Sequence, residues 1–393
     1  MGHLLSSKTS LIPLIDRLNR YPIGLVDSEK LREILAILFT EQEALIASKF
    51  PLEEATLGEL SRLTNVKKSI LQPQLESMAN KGLVMDLPYS GTTYYLLLPG
   101  LIGFMEFTFM RNRTDLPLKK LASLMAEYLK ENGPEGQAGE FFGSKTQLTR
   151  ALVYKEHIPV DSQITSYEDA QQIIRDADFC AVTHCYCRHK KEHLGKTCRK
   201  GAPVEETCMV LGSGARFLVR RGFAREKTKK EMLETLAMAK SLNLTHVTDN
   251  IRSEPSFLCN CCRCCCELMA GVQMGFQDGL AKTPFIAVVD EGCCDYCGDC
   301  IKTCNVKCIG LPEVRRTPIK ADRHAGIDPE VCLGCGACIS VCEKEAISLV
   351  PRAGYRIPPK NKGRMFARIL WEKGRLSPFV VSRIKRKLRA FIR

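Results

Sequence analysis

The sequence predicts an α+β protein of several domains, organised around metal-binding sulfur. Three observations carry this. The chain has 393 residues, more than a single hydrophobic core normally serves. Its first hundred residues pass from helical apolar spacing to a short pair of strands. Its 21 cysteines all lie between residues 180 and 342, in two groups and two repeats.

Composition narrows the setting. "MGHLLSSKTSLIPLIDRLNR" has no basic start, apolar core and small-residue cleavage site, so no secretory signal is expected. The longest apolar run, "YYLLLPGLIGFMEFTFM", is broken by Pro99 and Glu106 and falls short of the roughly 20 residues of a membrane span. A cytoplasmic chain is expected, in which reduced thiols read as metal ligands or reactive groups rather than disulfides. The net charge of +13 is concentrated at one end. Residues 351–393 carry fourteen Lys and Arg against one acid, Glu372, and the first 350 residues balance at 43 of each sign.

After an N-terminal arm, 1–28, the spacing predicts a domain over 29–98. "EKLREILAILFTEQEALIASKF" places Leu31, Leu35, Ile37 and Leu38 at helical intervals, and "TLGELSRLTN" reads as a second helix. "LQPQLESMANK" reads as a third, starting near Leu71 because Pro73 belongs in a first turn, and closed by Gly82. "LVMDLPYSGTTYYLLL" then forms a two-stranded wing around Ser90 and Gly91. The pattern resembles the winged-helix superfamily. Residues 29–97 carry seven basic and nine acidic side chains, against the cation excess that phosphate binding requires. A docking or scaffold role is therefore expected ahead of DNA reading.

Residues 99–179 read as a helical connecting region. It holds the amphipathic "LPLKKLASLMAEYLKE", a Gly-rich loop "ENGPEGQAGEFFG", a strand, and a helix introduced by Ser166.

Residues 180–285 read as a mainly α, Cys-rich domain with a helix at 227–241. "LGSGARF" is a weak match to a dinucleotide fingerprint, since Phe217 stands where Gly or Ala belongs. "HCYCRHKKEHLGKTCRKGAPVEETC" supplies Cys185, Cys187, Cys198 and Cys208. "FLCNCCRCCCEL" supplies Cys259, Cys261, Cys262, Cys264, Cys265 and Cys266. Neighbouring cysteines are poorly placed for disulfides, whose Cα atoms want roughly 5.5–6 Å. They suit a polynuclear site, where adjacent thiolates bind different irons. One or two iron–sulfur clusters beyond the repeats are expected here, with zinc as the alternative. Cys180 is expected in a core, and His184, His189 and His193 in solvent.

The sharpest signal covers 286–350. "CDYCGDCIKTC" gives Cys294, Cys297, Cys300 and Cys304, and "CLGCGACISVC" gives Cys332, Cys335, Cys338 and Cys342. Both follow the C-x2-C-x2-C-x3-C spacing that holds a [4Fe–4S] cluster. Over about 60 residues the pair resembles a two-[4Fe–4S] bacterial-type ferredoxin. The resemblance implies that Cys294, Cys297, Cys300 and Cys342 hold one cluster, and Cys332, Cys335, Cys338 and Cys304 the other. Asn305 and Glu343 stand where that family has Pro, and Cys293 and Cys308 are additional.

The succession of CxCR, CNCCxCCC and a duplicated ferredoxin motif behind a winged helix resembles a family of dicluster 4Fe–4S binding-domain proteins of anaerobes. That resemblance covers most of residues 29–350. It implies cofactors and an anaerobic redox setting, but no substrate.

Residues 351–393 read as a basic amphipathic tail suited to an anionic membrane surface or an acidic partner, with a helix over 379–393. The chain shows no Ser/His/Asp constellation, P-loop or flavin motif. The expected function is an iron–sulfur electron-transfer protein, or the electron-transfer subunit of a redox complex, serving redox partner proteins. Two alternatives stay open: a redox-sensing transcriptional regulator, and a reductase acting at a non-ferredoxin cluster.

Overall fold

The computed structural model describes residues 11–162, 164–310 and 325–376. The described residues begin with a helix over 11–18, inside the stretch expected as an N-terminal arm. Leu11, Leu14, Ile15 and Leu18 are buried, and Arg17 donates from Nε to the Phe50 carbonyl at 2.6 Å.

The long helix expected after residue 28 is two helices, Glu29–Leu38 and Glu41–Ser48. Thr40 breaks it: its hydroxyl accepts from the Glu43 N–H at 3.2 Å while the Glu43 carboxylate accepts from the Thr40 N–H at 2.9 Å. This reciprocal cap satisfies two amide donors that a new helix leaves open. The buried face of the first helix also includes Ile34.

Strand β1 (Ala55–Thr56) leads into the helix Leu57–Thr64. The next helix runs Lys68–Lys81, three residues earlier and longer than expected, with Pro73 inside it. The proline removes one amide donor, and burial of Leu71, Leu75, Met78 and Ala79 outweighs that loss. Gly82 closes the helix at φ 79°. Strands β2 (Val84–Tyr89) and β3 (Thr92–Leu97) form a hairpin whose Ser90 and Gly91 both have positive φ, 47° and 76°. The sheet order is β1-β3-β2.

This unit is docked on the rest of the chain. Arg221 forks onto Asp86 of β2 at 3.0 and 2.8 Å and also reaches Glu76 at 2.8 Å. The amphipathic helix Leu118–Lys130 forms as expected. The Gly-rich stretch does not stay a loop: Gln137–Phe142 is a helix, anchored by buried Phe142 and by Gln137 donating to the Gly24 carbonyl at 3.1 Å.

The Cys-rich region is built on a sheet, which corrects the mainly α expectation. Six strands, β4 (Thr149–Ala151), β5 (Cys180–Thr183), β6 (Cys208–Leu211), β7 (Ala224–Glu226), β8 (Thr245–Asp249) and β9 (Phe257–Cys261), pair antiparallel in the order β4-β8-β9-β6-β5-β7. One face carries Val182, Met209, Leu211 and Leu258 against the helices Ala170–Asp176 and Lys229–Ser241. Cys180 lies in this apolar layer, 4% exposed. The helices start at Asp169 and Thr228, whose side chains cap them.

The repeat region packs against the end of this sheet. β10 (Phe285–Val289) pairs antiparallel with β13 (Ile347–Pro351), and β11 (Ile309–Gly310) with β12 (Gly326–Ile327). Residues 351–376 are not a separate tail. Arg352 donates to the carbonyls of Thr283, Phe285 and Cys332 at 3.1, 2.9 and 2.7 Å. The helix Lys362–Glu372 buries Met365, Ile369 and Leu370, and Glu372 accepts from the Thr146 N–H at 2.8 Å. The helix expected over 379–393 lies outside the described residues.

Candidate metal centres

Strand periodicity explains part of "CNCCRCCC". On β9, Cys259 and Cys261 share one face and Asn260 turns to the other. Asn260 Oδ1 there accepts from His246 Nδ1 at 2.6 Å. Cys208 sits opposite Cys259 on β6, with the two sulfurs 3.7 Å apart. A tight turn then reverses the chain, with the Cys266 N–H donating to the Cys262 carbonyl at 3.1 Å. The turn returns Cys266 to the side of Cys261 and sends Cys262, Cys264 and Cys265 the other way.

The ten upstream thiols therefore form two groups. Cys185, Cys187, Cys208, Cys259, Cys261 and Cys266 make a six-membered circuit. Cys185 lies against Cys187, Cys187 against Cys266, Cys266 against Cys261, and Cys261 against Cys259. The contacts of Cys208 and Cys261 with Cys259 raise their pKa values and hold that of Cys259 well down. These sulfurs share protons where a cation would replace them. The second group is Cys198, Cys262, Cys264 and Cys265, with all four sulfurs within 4.8 Å of one another. The division falls between chain neighbours, Cys261 from Cys262 and Cys265 from Cys266. No spacing rule exposes it, because it depends on where β9 ends.

The repeats surround two openings. Cys294, Cys297, Cys300 and Cys342 line one opening. Cys304, Cys332, Cys335 and Cys338 line the other, joined by Cys308. Each opening thus draws three cysteines from one repeat and the last cysteine of the other. The fit to a cluster is chemical as well as spatial. Thiolates need donors, and the Ala346 N–H points at Cys342 Sγ at 3.3 Å. Cys308 Sγ lies 3.4 Å from Cys304 Sγ, and this contact holds the Cys304 pKa at about 6. Cys332 is likewise held at about 6, first by Cys308. Gly334 and Gly336 take positive φ, 71° and 85°. A Cβ on Gly334 would strike the Phe285 carbonyl and Thr283 Oγ1. Cys293 and Cys297 are exposed, whereas Cys304, Cys332 and Cys338 are buried.

Thr245, which sequence reasoning did not single out, and Asn305 connect these groups. Thr245 lies opposite Cys261 in the β8–β9 register and donates from Oγ1 to Cys335 Sγ at 3.6 Å. Asn305 donates to Thr245 Oγ1 at 2.9 Å. Cys187, Cys259, Cys261 and Cys266 belong to one apolar cluster with the repeat cysteines, while Cys198, Cys262, Cys264 and Cys265 belong to another.

Arg188 is 2% exposed and donates to Thr207 Oγ1 at 2.6 Å and to the Asn260 carbonyl at 2.8 Å. Burial opposes its charge, but facing Cys185, Cys262 and Cys198 raises its pKa. Lys190 is fully buried and paired with Glu267, which also accepts from the Tyr186 hydroxyl at 2.5 Å. His189 is not in solvent as expected: it is 6% exposed, its Nδ1 is 2.7 Å from the Phe109 carbonyl, and its ring lies tilted against that of His193, centroids 4.9 Å apart.

Residues 325–348 match the family model of a 4Fe-4S binding domain, Fer4, which encloses Cys332, Cys335, Cys338 and Cys342. No curated protein and no solved structure matches the chain. The chain thus contains a 4Fe-4S binding domain, and iron–sulfur chemistry is its supported cofactor class. Among the described residues no helix is long and apolar enough to cross a membrane.

Proposed function

We propose that the chain is an iron–sulfur electron-transfer protein, or the electron-transfer subunit of a redox complex. One [4Fe–4S] cluster is assigned to Cys294, Cys297, Cys300 and Cys342, a second to Cys304, Cys332, Cys335 and Cys338, and a further iron–sulfur site to the six-thiol circuit. When bound, such clusters supply one-electron oxidation and reduction, with potentials set by hydrogen bonds to sulfur and by solvent exposure.

The observation that carries the reading is continuity. Thr245 bridges Cys261 of the six-thiol circuit and Cys335 of the second cavity, and the second cavity shares its repeats with the first. Exposed Cys297 makes the first cavity the end open to a redox partner protein, and the buried circuit is the inner end. The winged-helix-like unit serves as a docking element, because Arg221 ties its hairpin to the central sheet through Asp86.

A reductase acting at the inner site is the second reading. Lys190, Tyr186 and Glu267 form a hydrogen-bonded group beside Cys187 and Cys266 that electron carriage alone does not require. Anaerobic reductive titration followed by EPR separates the readings. Three clusters that reduce and reoxidise without consuming added small oxidants support the carrier. Turnover of an oxidant that stops on loss of the six-thiol site supports the reductase.

A further inference from the structure

Among the described residues one set of four sulfurs lies wholly within 4.8 Å of one another. The six-thiol circuit is a run of pairwise contacts rather than such a set, and the repeat cysteines line openings. Cys198, Cys262, Cys264 and Cys265 instead touch. Cys198 Sγ lies 3.6 Å from Cys262 Sγ and 3.7 Å from Cys264 Sγ. Cys264 Sγ lies 3.5 Å from Cys262 Sγ and 3.7 Å from Cys265 Sγ. Cys265 completes the set against Cys198 and Cys262.

Those lengths are the edges of a particular polyhedron. Four thiolates at about 2.3 Å from one ion, at tetrahedral angles, stand about 3.8 Å apart. An iron–sulfur cube places its sulfide-bridged irons between the thiolates and spreads them well beyond contact. We infer that Cys198, Cys262, Cys264 and Cys265 bind a single tetrahedral ion of the zinc type, without inorganic sulfide. This goes beyond the electron-transfer reading and does not depend on it.

The position of the site says what the ion does. Cys198 comes from the loop after the helix Tyr186–His193, and the other three from the turn after β9. Two residues beyond Cys198, Lys200 donates to the Asn243 carbonyl at 2.7 Å and to the Thr303 carbonyl at 3.0 Å. Arg263, inside the turn, donates to the Ile301 carbonyl at 3.3 Å. Thr303 and Ile301 belong to the short helix of the first repeat. The ion therefore fastens two loops at the seam between the central sheet and the repeat region. It is redox-silent and holds the electron-carrying sites in register.

The test uses the full chain purified without oxygen from medium containing both metals. Zinc per chain is measured together with the zinc-edge X-ray absorption of the wild-type protein. The expected result is about one zinc, bound by four sulfurs at about 2.3 Å. In Cys264→Ser the zinc falls to less than about half, or its absorption shows an oxygen ligand, while the EPR signals of the reduced repeat sites persist. Absence of zinc from the wild type overturns the inference, as does zinc with nitrogen or oxygen ligands there, or zinc that Cys264→Ser leaves untouched. The wild-type spectrum stands if the variant fails to fold. Failure of the electron-transfer reading would show separately, as missing iron and sulfide.

Discussion

Arg188→Gln isolates the electrostatic part of the account. Arg188 is buried, and its guanidinium faces Cys185 of the six-thiol circuit as well as Cys198 and Cys262. A fixed cation favours the more negative, reduced state of a neighbouring cluster. At an effective dielectric of about 20, a unit charge roughly 6–8 Å from a cluster centre contributes about 2–3 kcal/mol. For one electron, tenfold in equilibrium is about 59 mV, so the six-thiol site should drop by about 90–120 mV. Glutamine also leaves Thr207 Oγ1 or the Asn260 carbonyl short of a donor, at about 1–3 kcal/mol of stability. Arg188→Lys keeps the charge but not the two-armed geometry, and should hold the potential within about 30 mV while losing similar stability. The assay is an anaerobic EPR-monitored redox titration of both variants against wild type. Unchanged potentials in a folded glutamine variant would refute the reasoning. An equal fall at every site would do so too, since that reports a general loosening.

Three other perturbations test separate parts. Cys308→Ala removes the thiol donor to Cys304 and Cys332; at about 0.5–1 kcal/mol this lowers one repeat cluster by about 20–45 mV. Iron content should not change, and a loss of one cluster's iron would instead make Cys308 a ligand. Glu106 is held at about 7 by burial, against 4.5 for an ordinary glutamate. Its folded-state pKa is raised, so the unfolded chain releases the proton first and stability falls as pH rises from about 4.5 to 7. Between pH 5.5 and 8 this costs the wild type up to about 2 kcal/mol, which Glu106→Gln should abolish. Thermal midpoints at the two pH values would contradict this by falling equally in both proteins. Arg352→Ala strips donors from the Thr283, Phe285 and Cys332 carbonyls. It should cost about 3 kcal/mol and speed iron loss to a chelator; an unchanged rate would mean the clamp is dispensable.

What the sequence disclosed depended on whether the signal was local. The repeat spacing is local, and the cysteines it named line two openings in crossed sets of four. The break at Thr40 was local too: Thr40 and Glu43 form a capping pair in plain view, overlooked because apolar spacing continues across it. The central sheet was not legible. Its strands run three to five residues, and β4 and β8 pair across about a hundred residues of chain.

The division of ten thiols into six and four depended on strand register and on one turn. Only the alternation Cys259, Asn260, Cys261 hinted at it. Charge misled at the C-terminus. The basic run from 351 suggested an amphipathic tail for an external surface, while Met365 and Ile369 keep helical spacing and bury against Ile23 and Ile251, with Leu370 buried beside them. Likewise, the basic "RHKKEH" suggested exposure, yet Arg188, His189 and Lys190 are all buried.

On the proposed function, iron–sulfur chemistry extends beyond the two repeats into the six-thiol circuit. Iron and acid-labile sulfide per chain, after strictly anaerobic purification, test it most directly. About 12 or more of each is expected, four for each repeat site and at least four for the circuit. About 8 of each would confine the clusters to the repeats and contradict it.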